Sequence, residues 1–265
     1  MKIISLYSGS KGNSTLISAG GANILIDAGK SARALKMSLC EVGLSPDDID
    51  AIFITHEHTD HTSALEMLLK KHPIPVHITE GSAEKLLGFG VPYLTGNLVI
   101  HPPLFEVKVK GLFVSSFVTP HDSRFSVGYR LCFEENGKHR QIGFATDIGY
   151  VTPEITSGLS GCESVIIEAN HDVDMLTNGS YPYDLKKRIL GKRGHLSNTD
   201  CALLASTLVS EGAKNILLAH ISEENNTPEL AYDEVFAAIG SSGVNLAVAD
   251  QYSVTPLVIE RDNQC

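Results

Sequence analysis

Residues 51–61 read AIFITHEHTDH. Ala51 to Thr55 carry no charge, and such a run predicts a strand buried on both faces. Directly behind it come His56, His58, Asp60 and His61, four metal-ligating side chains within six positions. Thr62 is placed to N-cap a following helix that carries Leu65, Leu68 and Leu69. The ligands therefore fall in a tight strand-to-helix connection. Curled, that loop can turn the two alternate histidines toward one ion and the Asp60-His61 pair toward a second. Imidazole mixed with carboxylate suits zinc, manganese or iron better than calcium or magnesium.

Upstream of this stretch, KIISLYS, STLIS and ILIDAG read as a β-meander, with the small-residue loop GSKGN and the turn GGAN between them. Ala34, Leu35, Leu39 and Val42 then recur at helical spacing, and Pro46-Asp47-Asp48 closes that segment. Downstream, VHIT reads as a strand and Ser82 to Leu87 as a helix. From Asn97 to Phe144 the signal is β, with Asn136-Gly137 as a hairpin turn. The last third alternates: strands at VIIEAN, NILLA, LAVA and VTPLVIE, and helices near Leu185 to Leu190, Asp200 to Val209 and Pro228 to Ile239. Two β-rich stretches, each followed by helices, predict two sheets with helices outside.

One pattern recurs along the chain. Apolar runs end in a His or an Asp: AIFIT in His56, VSSFVTP in His121, IGFAT in Asp147, VIIEAN in His171 and NILLA in His220. Strand ends are where layered α/β proteins gather ligands, so the pattern points to a dinuclear centre. No G-x-S-x-G elbow is present to support serine chemistry.

At 265 residues the chain can bury roughly 70 to 75 % of its unfolded surface as one domain spanning 1–265. The composition, 43 % hydrophobic and 20 % charged, is that of a globular protein. A net charge of −10 argues against wholesale attraction to nucleic acid or anionic membrane, so a polyanionic substrate must be met by local positive charge. The apolar run after Lys2 is too short for a signal-peptide core, and no stretch approaches the roughly 18 apolar residues of a membrane span. Five scattered cysteines (Cys40, Cys132, Cys162, Cys201 and Cys265) read as reduced thiols in a cytoplasmic protein.

Local positive charge lies in DLKKRILGKRGH, where Lys186, Lys187, Arg188, Lys192 and Arg193 precede His195. The run serves either as a solvated helix face or as a contact for a nucleic-acid backbone. GSKGN, with Lys11, Asn13 and Ser14, is either a plain hairpin loop or a nest of backbone N–H groups for a terminal phosphate. His195 follows no strand, and a substrate-side role and a structural one both stay open. His171 is open among catalytic, ligand-orienting and structural roles.

His-x-His-x-Asp-His behind an apolar strand resembles the signature of the metallo-β-lactamase superfamily. The resemblance extends to its YycJ/WalJ-type branch through SGSKGNST (8–15), ILIDAG (24–29), TPHDSRFSVGYR (119–130), GFATDIGYV (143–151), EANHDVDML (168–176) and the stretch from YPYDLKKRILGKRGHLSN to AHISEENNTPELA. It implies a four-layer αββα sandwich of the α/β (α+β) class. It implies two divalent ions, zinc or manganese, with iron as a further candidate. His56, His58 and His121 would hold one, and Asp60, His61 and His220 the other, with Asp147 bridging. It implies hydrolysis of double-stranded DNA from the 5′ end, with Asp60 and His195 as catalytic residues and Lys186, Lys187, Arg188, Asn13 and Ser14 against the substrate. RNA or a cyclic phosphodiester is the alternative substrate on the same chemistry, and a thiolester or lactone hydrolase the alternative of another class. Seventy-three positions separate Asp147 from His220 (220 minus 147), too few for the inserted domain of the β-CASP nucleases. Tyr183 departs from the branch, where a Trp is expected.

Overall fold

The computed structural model describes residues 1–88, 92–240 and 243–257. Its first half opens with an antiparallel meander, β1 (Lys2–Tyr7), β2 (Ser14–Ala19) and β3 (Ala22–Ile26), followed by helix α1 (Ala32–Glu41) and a 3-10 turn at Pro46–Asp48. Strand β4 (Ala51–Phe53) leads through α2 (Thr59–Thr62) and α3 (Leu65–Leu69) to β5 (Val76–Thr79). Helices α4 (Glu80–Leu87) and α5 (Pro92–Thr95) precede β6 (Leu98–His101).

The second half repeats the plan. Strands β7 (Glu106–Val109), β8 (Leu112–Val118), β9 (Val127–Glu135) and β10 (Lys138–Ala145) form its meander, then α6 (Pro153–Leu159) leads to β11 (Ser164–Glu168). Helices α7 (Val173–Asn178), α8 (Tyr183–Ile189) and α9 (Asn198–Ser210) separate β11 from β12 (Asn215–Ala219). Helix α10 (Pro228–Ile239), β13 (Asn245–Val248) and β14 (Thr255–Leu257) complete the described chain.

Among the described residues the strands form two seven-stranded sheets, ordered β14-β1-β2-β3-β4-β5-β6 and β13-β12-β11-β10-β9-β8-β7. Each passes from antiparallel pairing to parallel pairing, at β3/β4 in one and β10/β11 in the other. The uninterrupted apolar runs follow from this placement, because both faces of the parallel strands are covered. In β11 and β12, Ile166 and Leu217 face the opposing sheet while Val165, Ile167, Ile216 and Leu218 meet the helices. In β4, Ala51 and Phe53 point inward and Ile52 packs toward α1 and α3. The layers are thus helix, sheet, sheet, helix.

Four helices were not foreshadowed by the sequence. α2, α5, α6 and α7 run four, four, seven and six residues, too few turns to display a 3.6-residue period. Thr62 does not cap a helix. His58 holds the extended N-cap position of α2, and Thr62 Oγ1 instead donates to the His58 carbonyl. Asp60 and His61 therefore sit inside a helical turn, which fixes their directions more firmly than a loop would. Asn136 and Gly137 both take positive φ, as the hairpin turn requires. Cys40, Cys132, Cys162 and Cys201 are free thiols, whereas Cys265 and the end of VTPLVIE lie outside the described residues. No helix among the described residues is long and apolar enough to cross a membrane.

Candidate metal centre

Parallel register brings the ligand-bearing strand ends to one edge. Ala145 of β10 pairs with Ile167 of β11, and Glu168 pairs with Ala219 of β12, so Asp147, Glu168 and His220 emerge side by side. In the other sheet Ile26 pairs with Phe53, which sets Asp27 beside Thr55 at the root of the histidine-rich loop. The edges of the two sheets are joined where Val127 N–H donates to the Thr55 carbonyl and Tyr129 Oη to the Ile54 carbonyl.

The loop curls because its residues alternate in direction. Glu57 is buried away from the histidines, where it accepts from Ser82 Oγ, from Lys85 Nζ and from the Arg124 amide. His56 and His58 consequently turn together, with ring centroids 4.5 Å apart, and the His121 ring lies 4.9 Å from one and 5.1 Å from the other. Nitrogens of these three converge within 4.8 Å, and donor atoms of Asp60, His61 and His220 form a second such group. Asp147 stands between them. Its Oδ2 is 3.4 Å from His61 Nε2, and its Oδ1 is 3.4 Å from His220 Nε2 and 3.7 Å from His121 Nε2. The far-separated residues of the sequence-based set thus converge on one point.

The donor chemistry decides whether a cation fits. Four imidazoles are anchored through Nδ1: His121 to the Gly194 carbonyl, His61 to Asp27, His220 beside Glu168 and the Asn170 amide, and His56 to Thr55 Oγ1. Thr55 Oγ1 spends its one proton on Asp27, so toward His56 it accepts. Each anchored ring then presents Nε2 to the centre, the arrangement in which outer hydrogen bonds fix the tautomer of a metal ligand. His56 Nε2, His220 Nε2 and Asp147 Oδ2 are buried without any hydrogen-bond partner. Buried polar atoms are ordinarily satisfied, and a divalent cation among these lone pairs would satisfy all three. The residues present fit the ion.

Charge follows the same division. Burial, then the neighbouring imidazoles, pushes His56 well below the ordinary histidine range, leaving a neutral donor. Burial works in the same direction on His61 and His220, but Asp60, Asp27 and Asp147 around the first, and Asp147, Asp60 and Glu168 around the second, outweigh it and raise both. Burial disfavours the charged form of Asp60 too, yet His61 and His220 keep its carboxyl below the usual range.

Two carboxylates of this architecture were not singled out from the sequence, Asp27 and Glu168. Both end apolar runs, the same signal that marked Asp147. Glu168 is fully buried, accepts from the Ile148 and Leu196 amides, and lies 2.7 Å from His195 Nδ1. His195 is thereby brought into the centre, stacked on His220 with centroids 5.1 Å apart and partly exposed. His171 is buried at the end of β11, outside both donor groups, with neither ring nitrogen hydrogen-bonded.

The substrate-side candidates divide. Arg188 reaches the site and pairs through Nε with Asp122. Lys187 is exposed. Lys186 is drawn elsewhere, its Nζ donating to the Thr177 and Gly179 carbonyls. Ser14 is buried and donates to the Asp27 carbonyl. Asn13 adjoins the centre but contacts protein, its amide meeting the Gly9 carbonyl, Asp60 and His61. In GSKGN the Gly9, Gly12 and Asn13 amides donate to Asn13 Oδ1, the Gly9 carbonyl and the Asp60 carbonyl.

Residues 22–221 match the beta-lactamase superfamily domain. The chain belongs to the metallo-β-lactamase superfamily. It is 33 % identical over 249 residues to exodeoxyribonuclease YycJ of Bacillus anthracis, covering 92 % of this chain and 91 % of that one. It is 32 % identical over 247 residues to exodeoxyribonuclease WalJ of Streptococcus pneumoniae, covering 92 % and 90 %. These matches place it in the YycJ/WalJ branch. The metallo-β-lactamase fold protein YhfI from Bacillus subtilis superposes with a TM-score of 0.70 at 15 % identity, over 97 % of this chain and all of the other, which establishes the fold.

Proposed function

We propose that this superfamily hydrolase is a dinuclear phosphodiesterase that degrades double-stranded DNA from the 5′ end. The observation that carries the reading is the junction of two donor groups through Asp147 with the Glu168–His195 pair directly beside them. Exodeoxyribonuclease relatives supply the substrate class. His56, His58 and His121 would hold one divalent ion, and Asp60, His61 and His220 the other, with Asp147 shared. Such a pair, zinc or manganese by its donors, supplies Lewis acidity toward the phosphoryl oxygens and a hydroxide at neutral pH.

The chain's own groups do the rest. Asp27 and Thr55 hold His61 and His56 in the tautomers that face inward. Glu168 accepts the Nδ1 proton of His195, orienting the ring and leaving Nε2 for the substrate; protonated there, His195 delivers a proton to the departing oxygen. Free buried thiols suit a reducing, cytoplasmic setting.

Duplex DNA labelled at the 3′ end, incubated with protein loaded with Mn²⁺ or Zn²⁺, is expected to release mononucleotides progressively from the 5′ end. RNA and a cyclic nucleotide in parallel are expected to survive. A His195→Asn variant should retain its metal and lose turnover by about a hundredfold or more. Intact DNA under every metal tested overturns the reading, and faster cleavage of RNA or the cyclic nucleotide reassigns the substrate.

A further inference from the structure

A small pocket opens beside the centre, with a volume of about 180 Å³, lined on its polar side by Asp122, Asn170, Tyr181, Arg188, His195 and Ser222 and on another by Leu185 and Ile189. Its contents follow from the direction of the reaction, so the inference rests on the function proposed above. As water oxygen bonds to phosphorus, the P–O3′ bond breaks, and the proton from His195 goes to O3′ of the leaving nucleotide. When digestion runs from the 5′ end, that leaving nucleotide is the terminal one, and it carries the terminal 5′-phosphate away with it. His195 forms part of the pocket wall. The terminal nucleotide therefore lies on the pocket's side of the scissile bond.

The volume falls below the roughly 300–1,000 Å³ of sites that enclose whole ligands. It suits a phosphate with part of its sugar rather than a whole nucleotide. Asn170, buried and bonded to the His220 carbonyl, closes the inner side. The polar side of the lining matches an anion. Tyr181 and Ser222 offer hydroxyls, and Arg188 offers a guanidinium that Asp122 holds through Nε, which leaves its two terminal amino groups to donate elsewhere. Asp122 offsets part of that positive charge, so the preference it can give is moderate. We propose that this pocket receives the 5′-terminal phosphate of the DNA strand, with Arg188 as its countercharge, and that it restricts the enzyme to strand ends.

Matched duplexes bearing a 5′-phosphate or a 5′-hydroxyl, digested by the metal-loaded protein, test this through KM. The expected result is a KM about tenfold lower for the phosphorylated end, with Arg188→Gln bringing the two values within about twofold of each other. An independent readout is calorimetric binding of thymidine 5′-monophosphate against thymidine, expected to favour the nucleotide by a similar factor in the wild type and to lose that margin in Arg188→Gln. Equal KM values together with equal affinities overturn the pocket assignment. If the protein cleaves neither duplex, the nuclease reading falls, and the binding comparison alone still decides whether the pocket takes a phosphate.

Discussion

Two turns in the molecule share a spelling. Asp27-Ala28-Gly29 follows β3 and Asp147-Ile148-Gly149 follows β10, each where its sheet changes from antiparallel to parallel pairing. Both aspartates are left-handed, at φ 63° and 58°, a conformation that Asp tolerates better than most side chains. Both glycines make room for backbone of the site: a Cβ on Gly29 would lie 1.9 Å from the Asp60 carbonyl oxygen, and one on Gly149 2.3 Å from that of Lys192 in the segment leading to His195. The carboxylates differ. Asp27 is satisfied on both oxygens, accepting from the Thr55 amide and hydroxyl and from His61 Nδ1. Asp147 Oδ2 is buried with no partner and faces the histidines. On the function proposed above, one device thus serves once to position a ligand and once as the ligand, and what separates the two roles is whether the carboxylate's lone pairs are already spoken for.

The largest effect should come from Asp147. Asn keeps the backbone conformation and nearly the same volume, so Asp147→Asn is expected to fold, lose bound metal on elemental analysis, and lose more than about a thousandfold in turnover, since metal-borne charge stabilisation is worth several kcal/mol. Asp27→Asn should cost less. Its amide still accepts from Thr55 but cannot accept the His61 Nδ1 proton while its NH₂ faces that ring, and outer-shell changes of this kind typically lower metal affinity about 10- to 100-fold. Isothermal titration of metal into both variants checks the order. Equal losses would break the distinction between ligand and positioner.

The two halves were unequally legible. His56, His58, Asp60 and His61 are adjacent in sequence and could be read as a set, because one strand and one turn deliver all four. His121, Asp147 and His220 arrive one per strand. Each was visible only because an apolar run ends there, and their meeting depends on the register of β10, β11 and β12, which no local pattern states. Asp27 and Glu168 carried the same strand-end signal, but whether a carboxylate turns toward a ring or toward solvent is not written in spacing. Where Lys186 reaches was hidden for a related reason. A long side chain in a basic run can reach back to carbonyls, and it does so at Thr177 and Gly179.

The smallest test carries the comparison from carboxylates to histidines. β5 and β12 both lie second among the parallel neighbours of their meanders, and each brings a buried histidine. His220 is ringed by Asp147, Asp60 and Glu168, whose charges outweigh burial and raise it. His77 instead stacks on Phe53 at 4.6 Å, its Nδ1 2.9 Å from His101 Nε2, and burial, helped by His101, pushes it down to about 4. A base depressed in the folded state binds its proton first in the unfolded chain. Its contribution is therefore complete above the unfolded value near 6.5 and is lost as pH falls toward 4, by about 2 to 3 kcal/mol at most. His77→Phe keeps the stack and removes the titrating ring. Urea unfolding of the two proteins in the metal-free state between pH 7 and pH 4 should therefore give a shallower decline for the variant, with parallel declines showing that His77 is not buried as a neutral base.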